Sequence, residues 1–183
     1  KTFISHLDSD HAGGLAAISE NFNIHEVHQP ADTCVAGNEF HQGGLSAYAI
    51  WPLSPKSGHE NNESCVLIVE LNGTRVLFAG DIEMPAEHAL VATGKAIDAD
   101  ILIAPHHGSK TSSTHSFVRA VSPQHVVFTA GYENRWGFPH AEVTQRYAAI
   151  GSKMYTTGKD GAIVFTFENG EVTPSTYRKD AYR

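Results

Sequence analysis

The chain has 183 residues, 41% of them apolar, which is enough material for one domain with a sizeable core. A formal net charge of -7 argues against a broadly basic surface that coats nucleic acid, so any polyanion must be held locally. No apolar run approaches the ~18 residues that cross a bilayer, and the start Lys1-Thr2-Phe3-Ile4-Ser5 is not a signal peptide, which predicts a soluble piece.

Strand-like apolar runs alternate with helical patterns along the chain, the mark of an α/β layered fold. Directly after Phe3-Ile4 comes His6-Leu7-Asp8-Ser9-Asp10-His11-Ala12-Gly13-Gly14, which places His6, Asp8, Asp10 and His11 at a strand-to-helix junction. Helix capping accounts for one of these carboxylates, but not for two with two imidazoles beside them, so the loop reads as a metal site. A helix is predicted over 12–22, with Leu15, Ile18 and Phe22 as its buried stripe, followed by a short strand over 24–27. The segment 29–44, with Pro30, Gly37 and Gly43-Gly44, reads as loop, 48–51 as strand and 52–64 as a polar connection.

Strands over 65–71 and 75–79 are joined by Asn72-Gly73, a strong hairpin signal because both residues tolerate positive φ, and this hairpin sets Asp81 at the sheet edge. Then come a helix over 83–93 stopped by Gly94, a strand over 100–104 ending in His106-His107-Gly108, a helix over 113–121 and a strand over 125–129. A helix over 141–150, a strand over 154–157 and a hairpin of 161–167 with 171–177 through Asn169-Gly170 complete the pattern. Cys34 and Cys65 form no zinc motif; they could pair in an oxidising compartment, but read first as small core residues. His25, His28, His41, His88, His115 and His125 read as surface or loop residues.

Three strand ends thus carry ligand groups: the His6–His11 loop, Asp81, and His106-His107. Asp81 can offer two oxygens to two cations. One of His106 and His107 is expected to bind metal while the other meets it indirectly or meets substrate. Ser109 and Lys110 precede a helix and suit a substrate phosphate, although Ser112 or Ser113 could equally be plain N-caps. Asn134, Arg135 and Trp136 could meet sugar-phosphate and stack a base, or pack as a cation–π pair.

The pattern His-x-Asp-x-Asp-His-x-Gly-Gly, then Gly-Asp, then His-His-Gly-Ser resembles the metallo-β-lactamase fold superfamily. The runs Leu77–Glu83, Pro105–Ser109, Asn134–His140 and Gly161–Ile163 are similar to the C-terminal domain of ComEC-type DNA-uptake channel proteins of naturally competent bacteria, and the resemblance extends from about Phe3 to about Val164. It implies an αβ/βα sandwich with two divalent metal ions, His6 and Asp8 serving one, Asp10 and His11 the other, and Asp81 bridging both. It also implies that His140 closes over the site to meet substrate phosphate or protonate the leaving oxygen. Asp8 stands where the superfamily usually has His, and 59–64 offers Asn61 and Ser64 with His59 as an unrelated loop residue, so oxygen replaces nitrogen at one metal. Harder donors favour Mn2+, with Zn2+ or Mg2+ possible.

The implied activity is a metal-dependent phosphodiesterase, a deoxyribonuclease with Asp10, Asp81 and His140 as catalytic residues. It would sit on the outer side of the bacterial cytoplasmic membrane and degrade one strand of incoming DNA during transformation. Its partners would be DNA and the remaining domains of a membrane channel. The alternatives are a small-molecule phosphoester hydrolase and a catalytically inactive metal-binding or architectural domain. The superfamily's opening strands are missing from the sequence, so 1–183 reads as one N-terminally incomplete hydrolase domain with a long unpaired apolar sheet edge.

Overall fold

The computed structural model describes residues 1–168 and 171–178. Strand β1 (Thr2–Phe3) leads into the metal loop, helix α1 (Ser9–Ala12) and helix α2 (Leu15–Asn21). The single helix expected over 12–22 is thus two short ones that part at Gly13-Gly14, and a side chain at Gly13 would collide with the Ser9 carbonyl. The expected buried stripe is also corrected: α2 buries none of its residues, and Ile18 and Phe22 are 49% and 69% exposed. Strand β2 (Val27–His28) pairs in parallel with β1.

Strand β3 (Glu39–Gln42) lies in the segment read as loop, and joins β4 (Leu45–Trp51) through Gly43-Gly44, both at positive φ. Its polar residues suit an outer strand, which is why hydropathy did not reveal it. Next come β5 (Val66–Leu71) and β6 (Thr74–Phe78), paired through the Asn72-Gly73 turn as expected, helix α3 (Met84–Ala92), β7 (Ile101–Ile103) and helix α4 (His115–Val121). Thr114, rather than Ser112 or Ser113, caps α4 by accepting from the Phe117 N–H. Strand β8 (His125–Phe128), helix α5 (Ala141–Ala148), β9 (Lys153–Thr156) and helix α6 (Thr157–Asp160) follow. Strands β10 (Ile163–Glu168) and β11 (Glu171–Thr176) form the last hairpin; its expected Asn169-Gly170 turn lies outside the described residues.

The main sheet has seven strands in the order β3-β4-β5-β6-β7-β8-β9, antiparallel from β3 to β6 and parallel from β6 to β9. Alternation along the strands assigns its two faces. Ile68, Leu77, Leu102, Val126 and Phe128 face helices α3, α4 and α5, which contribute Leu90, Phe117, Val118, Val143 and Tyr147 to one core. On the other face β1–β2 and β10–β11 stand in place of a full second layer, the latter through Phe165 against His125 and Tyr155. Cys34 and Cys65 are joined in a disulfide that spans 31 positions and ties the 29–38 loop to the start of β5, which corrects their reading as separate core residues. His28 and His125 are buried, not superficial: His28 stacks on Phe3, and His125 bonds to the Tyr155 hydroxyl at 3.2 Å.

Candidate metal centre

Parallel strands β6, β7 and β8 end at one rim, so the segments that leave them meet there: Asp81 after β6, His106-His107 after β7 and Thr129 after β8. The His6–His11 loop is pinned against this rim by the Leu7 N–H to Gly58 O bond at 2.7 Å and the Cys65 N–H to Ser5 O bond at 2.6 Å. Gly80 permits the close packing: it has φ +57°, and a Cβ there would lie 2.7 Å from the Ser64 Cβ. Ser64 accepts from the Asp81 N–H at 3.0 Å, and its Oγ lies 3.4 Å from His6 Nδ1.

Three imidazoles converge on Asp81. His11 Nε2 lies 3.3 Å from Oδ1 and His107 Nε2 3.4 Å from Oδ2; His6 forms with His11 and Asp81 a group whose donor atoms all lie within 4.8 Å of one another. Asp8 Oδ2 stands 3.6 Å from His6 Nε2, and Asp10 Oδ2 lies 3.7 Å from His11 Nε2 and 3.4 Å from His107 Nε2. The arrangement has two lobes, His6–Asp8 on one side and Asp10–His107 on the other, with His11 and Asp81 between them.

Each imidazole is oriented by a hydroxyl on its Nδ1: Ser5 at 3.2 Å for His6 and 2.9 Å for His11, Thr129 at 2.9 Å for His107. A hydroxyl that accepts the Nδ1 proton leaves Nε2 with its lone pair, the form that binds a cation. Yet Nε2 of His6, His11 and His107 is buried without a hydrogen-bond partner, a costly state for a polar atom unless a ligand completes it. The spacing fits such a ligand. Two donors each about 2.0–2.2 Å from one cation lie about 2.8–3.6 Å apart at octahedral or tetrahedral angles, the range of most of these separations.

Burial opposes ionisation of Asp81, but His107 and His11 outweigh it and hold its carboxyl well below the usual carboxylate range. Asp81 raises the affinity of His107 for a proton, and by the same field for a cation. Burial, with His11 beside it, lowers the pKa of His6 and keeps it neutral and able to ligate.

His106 turns elsewhere. Its Nδ1 lies 3.3 Å from Glu83 Oε1 and 3.4 Å from the Thr111 hydroxyl, which itself donates to Glu83 at 2.7 Å. The two neighbours part because both adopt the left-handed conformation, with φ 47° at His106 and 54° at His107. Gly108 follows at φ +90°, and a Cβ there would lie 2.5 Å from Pro139 Cβ and 2.8 Å from Phe128.

The cluster opens into a cavity of about 1070 Å³ whose walls include Asp8, Asp10, His11, Asn61, Asp81, His106 and His107 on one side and Phe3, Leu67, Val69, Phe78 and Ile103 on the other. Of the four residues expected at a substrate phosphate, Asn134 lines this cavity and Ser109, Lys110 and Arg135 do not. Ser109 is buried and bonds Thr111 at 2.9 Å, while exposed Lys110 lines a separate cavity of about 370 Å³ with His88, His115 and Arg146. Arg135 lies 4.3 Å above the Trp136 ring, and Asn134, although it lines the large cavity, spends its amide on Gly131 O and on Phe138. His140 is the residue before α5 and does not line the cavity; its ring lies edge-on to Phe138, which does. Sequence reasoning missed the orienting Ser5 and Thr129, since lone hydroxyls carry no spacing signal.

Residues 2–131 match the Metallo-beta-lactamase superfamily, and the chain belongs to that superfamily. It is similar to Competence protein ComA of Neisseria gonorrhoeae, 34% identical over 185 aligned positions that cover 97% of this chain and 27% of that protein. It is also similar to Recombination protein 2 of Haemophilus influenzae, 31% identical over 91% of this chain and 22% of that protein, and to Uncharacterized protein YcaI of Escherichia coli, 33% identical over 90% of this chain and 22% of that protein. The chain thus spans about a quarter of the length of the curated relatives it matches. Among solved structures, the metallo-beta-lactamase fold protein YhfI from Bacillus subtilis covers 84% of this chain with 72% of its own, at 8% identity and a TM-score of 0.47.

Proposed function

We propose that this chain is the metal-dependent phosphodiesterase unit of a DNA-uptake protein, a deoxyribonuclease that degrades one strand of incoming DNA. The observation that carries the reading is the set of three buried, partnerless Nε2 atoms of His6, His11 and His107 around Asp81 at the wall of an open cavity. His6 and Asp8 would hold one divalent cation, Asp10, His11 and His107 a second, with the two oxygens of Asp81 shared. Cations held there supply Lewis-acid polarisation of a phosphoryl oxygen and a water nucleophile near neutral pH. The Asp8 carboxylate, standing where the superfamily usually has an imidazole, with Ser64 next to His6 and His59 exposed, favours Mn2+ over Zn2+ or Mg2+.

The chain's own residues do the rest. Ser5 and Thr129 orient the imidazoles and Ser64 fixes the Asp81 backbone. His106, lining the cavity with Glu83 and Thr111 behind it, is better placed than His140 to pass a proton to the leaving oxygen. The Cys34–Cys65 disulfide supports an oxidising setting outside the cytoplasmic membrane, and the similarity to a competence protein several times longer supports neighbouring channel domains as partners. The test is cleavage of labelled linear and circular DNA after chelation and re-addition of Mn2+, Zn2+ or Mg2+. Metal-dependent cleavage supports the reading; metal binding without cleavage of any DNA would leave an architectural domain, and cleavage of small phosphodiesters alone a small-molecule hydrolase.

A further inference from the structure

The walls of the large cavity contain no Lys or Arg among the described residues, while three carboxylates, Asp8, Asp10 and Asp81, stand at its polar end. Lining of this kind cannot track a run of phosphates by charge, so a polynucleotide needs another source of affinity. The 131–140 loop offers one. Trp136, 58% exposed, lies nearly parallel to Phe138, with an interplanar angle of 14° and centroids 6.2 Å apart. Phe138 in turn stacks at 26° and 6.3 Å on His107 of the cluster, and the Arg135 guanidinium backs Trp136. A ladder of flat groups therefore runs from solvent to the metal-binding histidine.

The ladder is built, not incidental. Asn134 accepts from the Phe138 N–H at 2.8 Å and donates to Phe138 O at 2.7 Å and Gly131 O at 3.0 Å, which closes the loop on itself. The His140 N–H donates to Gly108 O at 3.0 Å and anchors the loop next to His107. Rigid presentation of a large exposed aromatic ring beside a reactive centre lowers the ordering cost of stacking a ligand on it.

We propose that the Trp136–Phe138 ladder is a base-stacking platform, so that the strand entering the cavity is single-stranded and is held by its nucleobases more than by its phosphates. This inference rests on the phosphodiesterase reading and adds the form of its substrate. In a duplex both faces of each base are covered by neighbours, whereas a single strand can lay one base on Trp136 while the adjoining phosphate reaches the cluster. Stacking accepts every base, so the platform predicts little sequence preference.

The experiment measures binding of a (dT)12 oligonucleotide and of a 12-mer of tetrahydrofuran abasic residues to the metal-free protein, by anisotropy of a 5′ label at several salt concentrations. The two probes carry the same phosphates. The proposal predicts at least about 10-fold tighter binding of (dT)12, a shallow salt slope, and weaker binding of the matching duplex. Trp136→Ala should lower (dT)12 affinity about 10-fold and leave the abasic probe unchanged, while Trp136→Phe restores most of the loss. Equal affinity for the two 12-mers, or an unchanged (dT)12 affinity in Trp136→Ala, would overturn the proposal. Cleavage with added Mn2+ separates this from the underlying reading. Metal-dependent cleavage of (dT)12 with unaltered KM in Trp136→Ala removes the platform alone, and no cleavage of any oligonucleotide removes the phosphodiesterase.

Discussion

Replacing Asp81 by Asn keeps the shape of the side chain but removes the charge that lies between His11 and His107 and turns one of its two oxygens into an NH2 group. The carboxylate is 5% exposed, so no solvent charge compensates for its loss. A cation that binds only the folded chain stabilises it by about 2.7 kcal/mol when present at a hundred times its Kd. For a chain of 183 residues, with about 2–4 °C per kcal/mol, that is a rise in Tm of about 5–11 °C. If losing the charge and one of the two oxygens weakens affinity about 100-fold, the same metal concentration equals the new Kd, the stabilisation falls to about 0.4 kcal/mol and the rise to about 1–2 °C. Differential scanning fluorimetry of both proteins with and without Mn2+ reads this directly, and DNA cleavage should vanish in parallel. Lys110→Ala, whose side chain lines the other cavity, should keep the full rise. An Asp81→Asn protein that retains the whole metal-induced shift would refute the placing of Asp81 at the heart of the cluster.

Gly108→Ala forces a side chain into Pro139 and Phe128 at φ +90°, and should cost about 3 kcal/mol or more, seen as a lower urea midpoint at unchanged slope. Reducing the Cys34–Cys65 bond frees a loop of 31 positions and should cost about 3–4 kcal/mol by chain entropy, to be measured by denaturation with and without reductant; an unchanged midpoint would show that the closed loop adds nothing to stability. Burial raises the pKa of Glu87 above its ordinary value, outweighing the Ser113 and Thr114 N–H groups that its carboxylate caps. The folded chain therefore holds this proton more tightly than the unfolded one, so the contribution of Glu87 to stability is greatest below its ordinary pKa and declines as pH rises through the folded value. The stability advantage of the native protein over Glu87→Gln should accordingly shrink from acidic to neutral pH, and a gap that widens would reverse the sign.

The centre was legible where chemistry coincides with topology. His6, Asp8, Asp10 and His11 crowd one short loop, while Asp81 and His107 each follow a strongly apolar strand, and the ends of parallel strands meet at one rim. Asn72-Gly73 likewise announced its hairpin. What escaped depends on events that no local pattern records. Backbone handedness set His106 and His107 on different paths, and Lys110 lines a separate cavity. Apolar spacing in 15–22 looked like a buried stripe, yet tertiary placement left it outward. The polar strand Glu39–Gln42 lacks the hydropathy of a strand because it pairs at the sheet margin, and the partner of Cys34 lay across the fold.

The left-handed pair at His106 and His107 makes two adjacent, chemically identical residues non-interchangeable. A shift of the chain by one position would offer His106 to the cluster in place of His107, and such a slip is the natural failure of a repeated residue. Gly108 prevents it: wedged against Pro139 and Phe128, it leaves room for no side chain, so neither histidine can move into its place. Which of the two histidines joins the cluster is thereby written in the main chain rather than in the side chain. Neither histidine is a spare for the other, and a variant that loses one should find no rescue from the one beside it.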